Sequence, residues 1–133
     1  MTARLTTPIM AAAALVLAAS PLRAGGNDAA ELDKLLAGRV AGEPVDCVQT
    51  DNHGAGNLTI IDGVGLVYRR GDTIYLNRTA NPETLDWNDL LVTEPFSGSR
   101  LCRHDRVYTH DRTSYGRTGV VFLDRFVPYR KAS

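Results

Sequence analysis

Cysteine, tryptophan and methionine are scarce in this 133-residue chain, which holds two Cys, one Trp and two Met. Lysine is confined to Lys34 and Lys131, so arginine supplies almost all the positive charge. There is no CxxC pair, no HExxH and no glycine-rich phosphate loop. These absences exclude zinc ribbons, the common zinc proteases and P-loop nucleotide enzymes. Ser97-Gly98-Ser99 lacks the strand–turn–helix setting of a nucleophile elbow. Long repeats and low-complexity linkers are also missing, which points to one small domain.

Only one long apolar run occurs, Pro8 to Ala19 (PIMAAAALVLAA), preceded by Arg4. It falls short of the roughly 20 residues needed to cross a bilayer. Leu22-Arg23-Ala24 then offers small-residue cleavage before Gly25. The expectation is a signal peptide over residues 1–24 and a mature β-rich domain over 25–133. No Cys closely follows the apolar run, so a lipoprotein anchor is not indicated. The mature chain is expected to be periplasmic or secreted, with no transmembrane segment.

In that compartment the isolated pair Cys47 and Cys102 is most simply a disulfide. A thiol nucleophile or metal ligand is the competing reading. It lacks a CxxC spacing and is disfavoured by an oxidising location.

The net charge is zero but unevenly distributed. Residues 25–99 carry twelve acidic and five basic side chains, and residues 100–133 carry three acidic and eight basic. A basic face could receive an anionic envelope polymer, a lipid headgroup or another envelope protein. Arg103, Arg106 and Arg112 would be its anion-binding members. The simpler expectation is that the two halves are neighbours and neutralise each other, with no nucleic-acid partner.

Asn27 to Ala37 (NDAAELDKLLA) predicts a short amphipathic helix. Leu32, Leu35 and Leu36 recur at i, i+3 and i+4, and Gly38 stops it. Pro44 to Thr50 predicts a strand, and Leu58 to Thr79 a three-stranded meander turned at Asp62-Gly63 and Gly71-Asp72. Asn81-Pro82 opens a turn or single helical turn through Trp87. Asp89 to Thr93, Leu101 to Asp111 and Gly119 to Leu123 complete the strands, with Phe126 to Tyr129 as an edge or terminal extension around Pro128. The expected fold class is mainly β: a small antiparallel barrel or sandwich of six to seven short strands. Its one short N-terminal helix would cover an opening or edge.

The triplet His-Asp-Arg occurs twice, at residues 104–106 and 110–112. Read as one strand, Leu101 to Asp111 places His104, Arg106, Tyr108 and His110 on one face. The two histidines would then lie about 20 Å apart, at about 3.3 Å per residue, and could not share a metal. No metal site and no cofactor are expected. The surviving catalytic arrangement brings His104 or His110 to His53, Asp51 or Asp62 from around the DNHGAGN loop, or uses His53 with a nearby Asp. A solvated loop is the simpler reading of that loop. Arg70-Gly71-Asp72 spells an adhesion tripeptide but reads first as a hairpin turn. Asn57 and Asn77 both begin glycosylation patterns.

LAGRVAGEPVDC (Leu36 to Cys47), IIDGVGLVYR (Ile60 to Arg69), LCRHDRV (Leu101 to Val107) and GVVFLDRFVPY (Gly119 to Tyr129) resemble a group of small exported bacterial proteins, alphaproteobacterial in type. The resemblance implies one periplasmic domain with Cys47 paired to Cys102. It carries no activity and no catalytic residue. Two functional expectations result: a non-enzymatic binding, inhibitory or envelope-associated module, or a small periplasmic hydrolase built on those histidines and an Asp.

Overall fold

The computed structural model describes residues 28–50, 57–94 and 98–133. Mainly β, they form one α-helix, α1 (Asp28–Leu36), a single 3-10 turn at Pro82–Thr84 where Asn81-Pro82 predicted one, and ten short strands. The strands are β1 (Arg39–Ala41), β2 (Cys47–Gln49), β3 (Leu58–Ile61), β4 (Gly65–Arg70) and β5 (Thr73–Asn77), then β6 (Leu90–Thr93), β7 (Arg100–Cys102), β8 (Arg106–His110), β9 (Arg117–Phe122) and β10 (Phe126–Lys131). All pairings are antiparallel, in three open sheets ordered β1-β10-β5-β4-β3, β2-β7 and β6-β8-β9.

The five-stranded sheet is built on the meander that the turn dipeptides predict. Gly63 and Gly71 take positive φ in its two hairpins. Gly65 also has positive φ, and there a Cβ would in addition clash with the Asn77 carbonyl oxygen. Strand alternation divides the interior in two. Ile61, Val67, Ile74 and Leu76 face Leu32 of the helix, whose apolar stripe covers that side of the sheet. Ile60, Leu66, Tyr68 and Phe126 face the other way, against Val48, Leu101, Val107 and Val121 of the two smaller sheets. The order is thus helix, large sheet, small sheets, with apolar residues buried at both interfaces.

The junctions between sheets are held by a few hydrogen bonds. Val45 bridges to Phe126 between the large sheet and the approach to β2. His104 N donates to Leu123 O, and Leu123 N donates to Asp105 O, joining the β7–β8 turn to the end of β9. Ala80 N donates to Phe122 O and the Asn81 amide donates to Val120 O, which occupies the outer edge of β9. Among the described residues the three sheets nevertheless do not close into a barrel.

Several expectations need correction. Leu101 to Asp111 is not one strand. It breaks into β7 and β8, which belong to different sheets, because residues 103–105 form a turn in which His104 has φ 73°. The face assignment therefore holds only within β8, where Arg106 and Tyr108 alternate with Val107 and Thr109, and His104 does not share it, so the 20 Å separation loses its basis in a continuous strand. β10 is also more than a terminal extension, since it lies between β1 and β5. Pro128 is tolerated there because β1 has ended: Ala41 pairs with Tyr129, and only Gly42 N reaches the Pro128 carbonyl.

Asn77 is fully buried, and its side chain exchanges two hydrogen bonds with the backbone N–H and carbonyl of Asp124. That excludes it as a glycan acceptor in the folded chain. The Cys47–Cys102 disulfide is present and links directly opposite residues of β2 and β7. It suits an oxidising, extracytoplasmic compartment. Among the described residues no helix is long and apolar enough to cross a membrane.

Candidate functional site

The two His-Asp-Arg triplets are both turn devices, built differently. In the first, Asp105 is buried and its Oδ2 accepts the Cys102 N–H at 2.8 Å, closing the turn that His104 makes possible. Histidine is among the residues that enter the left-handed region more readily than most. In the second, Asp111 Oδ1 accepts the backbone N–H groups of Thr113 and Ser114 and the Ser114 hydroxyl. These donors, the Ser114 N–H foremost, hold the Asp111 carboxyl below its ordinary value of 3.8. His110 ends β8 with Nδ1 at 3.0 Å from the Tyr115 carbonyl.

The remaining expected site residues are dispersed. His53 and Asp51 lie outside the described residues. Asp62 sits in the β3–β4 hairpin, Arg103 pairs with Asp124 at 3.6 Å, and Arg106 lies in β8 opposite Phe122. Arg112 donates through Nε to the Asn88 carbonyl at 2.7 Å and through Nη2 to that of Asp89 at 3.4 Å. These three arginines thus occupy a turn, a strand and a loop, and none of them is without a partner in the chain. Two ion pairs, Arg125–Asp46 and Lys131–Asp72, join the basic C-terminal part to the acidic remainder. Asp72 belongs to the Arg-Gly-Asp tripeptide, which forms the β4–β5 hairpin and whose Asp72 carbonyl accepts from Arg39.

Among the described residues there is a concavity that the sequence did not single out. It is a cleft of about 560 Å³, within the range of small-ligand sites. Its mouth is marked by Trp87, the chain's single tryptophan, which is 68% exposed. A tryptophan left this exposed in a small domain leaves a large apolar surface in water.

Its presentation is fixed by a tight turn. Asp89 N donates to Asp86 O, and the Asp86 carboxylate accepts from Asn88 N at 2.8 Å. Arg112 pins the same turn through the two carbonyls named above. The indole is therefore carried by a braced turn. Asp86-Trp87-Asn88-Asp89 was the available sequence signal, an aromatic among three turn-forming residues.

Leu58, Thr59 and Ile60 line one wall, and Leu90 and Leu91 the other. Glu31 on α1, Asp89 and Arg112 supply charge at the rim. Ile60 and Leu91 continue beneath into the main core, so the floor is fixed by packing. Comparison with protein-family models, with curated proteins and with solved structures finds no match to this chain. The chemistry of the cleft must therefore be read from its own residues. An exposed indole, aliphatic walls and a few rim charges can hold a ligand by contact and orient it by charge.

Proposed function

We infer that this protein is an exported, disulfide-tied β module that binds a ligand in the Trp87 cleft and performs no chemistry on it. The observation that carries the reading is the braced turn: two side chains, Asp86 and Arg112, fix a turn that carries an exposed indole beside a cleft. Preorganising an aromatic in this way reduces the ordering cost of binding. The resemblance to small exported bacterial proteins supports placing the module in the periplasm or outside the cell. The hydrolase reading has less support, because His104 and His110 serve separate turns.

The test uses Trp87 as its own reporter. The mature chain is titrated with muropeptides, lipopolysaccharide and a pool of synthetic peptides while indole emission is followed. Saturable change with one class is expected, weakened at least tenfold by Arg112→Ala, which frees the turn. Hydrolysis of an ester, peptide or glycoside panel that disappears with His104→Ala or His110→Ala would overturn the reading.

A further inference from the structure

The cleft touches three consecutive residues of β3 and two consecutive residues of β6. Successive side chains of a strand point to opposite faces, so a cavity lined by Leu58, Thr59 and Ile60 together runs along the strand's edge. The same holds for Leu90 and Leu91. β3 is the terminal strand of the large sheet, and β6 is the terminal strand of the three-stranded sheet. Two strand edges from different sheets therefore border one groove.

The other junctions of the wall are stitched by hydrogen bonds, at Val45–Phe126, Leu123–Asp105 and Ala80–Phe122. Among the described residues no backbone hydrogen bond spans β3 and β6. The Trp87 cleft thus lies, among the described residues, between the ends of two sheets that no backbone hydrogen bond joins there.

We propose that the seam between β3 and β6 receives an extended polypeptide segment, which pairs with β3 on one side and β6 on the other and so joins the two sheets. This rests on the reading of the cleft as a binding site and names its ligand class. Edge strands present rows of backbone N–H and C=O groups, and an added strand is the ligand that satisfies such rows. β3 and β6 are each four residues long, which sets the core of the occupant at about four to six residues at about 3.3 Å per residue. Trp87 receives an apolar side chain of the segment. Glu31 and Asp89 bring two carboxylates to the rim against one guanidinium, that of Arg112, which already serves two carbonyls. The segment therefore carries a basic side chain at one end.

A random octapeptide phage library is panned on the immobilised mature chain, and the strongest binder is synthesised. Two further versions are made, N-methylated at alternate residues in one parity or the other. A strand held on both sides uses the N–H groups of both parities. Each methylated version is therefore expected to lose at least tenfold in affinity, measured by Trp87 emission. Trp87→Ala, followed by calorimetry, is expected to lose as much. Loss with one parity only would overturn the two-sided seam, and loss with neither would overturn strand pairing altogether. If no peptide is selected but chitotetraose or a muropeptide glycan shifts Trp87 emission, the peptide proposal fails while the cleft remains a binding site. If none of these probes shifts the emission, both readings fall.

Discussion

Asp105 and Asp111 hold equivalent places in the repeated triplet, and both carboxylates accept backbone N–H groups, but their surroundings differ. Asp105 is 5% exposed and holds the turn at the meeting of β7, β8 and β9, whereas Asp111 caps a loop at the surface. Removing a buried carboxylate acceptor strands the Cys102 N–H. Asp105→Ala is expected to cost about 2–3 kcal/mol in denaturant unfolding. His104→Ala should change stability by under about 1 kcal/mol, since its side chain is exposed. His104→Gly should be stabilising, by about 0.5 kcal/mol, because glycine adopts the positive φ without a Cβ penalty.

Asp111 gives a pH prediction. Its folded pKa lies below the ordinary 3.8, so its contribution to stability is present above that value. The contribution is lost as pH falls below about 3.8 and through the lower folded value. Carbon-13 titration of the Asp carboxyls should show Asp111 among the last to protonate. Asp111→Ala should lower stability by a constant amount above about pH 5 and flatten the acid limb of the stability profile.

At the scale of elements, what was legible followed from strong local periodicity or turn chemistry. The Leu32, Leu35, Leu36 stripe, the glycine-marked meander and Asn81-Pro82 each announce themselves within a few residues. Leu101 to Asp111 was misread because its alternation continues through Arg103-His104, which contains neither Gly nor Pro. The break is imposed by Asp105 reaching back to Cys102 and by Leu123 from the next hairpin, contacts that no local pattern encodes. β1 was missed because three residues show no period. Trp87 was passed over because its exposure depends on Arg112, 25 positions later, holding its turn.

Within β8 the alternation does hold. Val107 is fully buried against the main core, while Tyr108 on the opposite face is covered by the Arg117 guanidinium at 3.8 Å from its ring centre. Val107→Ala should therefore cost about 1–3 kcal/mol in urea unfolding. Val92→Ala, on the 42% exposed position opposite Tyr108, should cost under about 0.5 kcal/mol. Equal costs would show that the inner and outer faces of this sheet are wrongly assigned.

At the scale of the whole molecule, the weakest sheet is the one that carries the covalent link. β2 and β7 pair over only three residues each, and an isolated two-stranded pair is marginal in water. Two things retain it: Val48 and Leu101 enter the main core, and Cys47 is bonded to Cys102 across 55 positions. Closing a loop of that length restricts the unfolded chain by about 4 kcal/mol in the chain-entropy model. That is a large share of the stability of a small domain. The double replacement Cys47→Ala and Cys102→Ala is expected to lower stability by about 2–4 kcal/mol. Hydrogen exchange should locate the loss first in β2 and β7, because the meander keeps its own ladders and the helix over it. Neither β3 nor β6 pairs with that sheet, so the reduced or double-Ala chain, held well below its melting temperature, should keep its Trp87 emission spectrum. If exchange instead accelerates uniformly, the two-stranded sheet is an integral part of one cooperative unit.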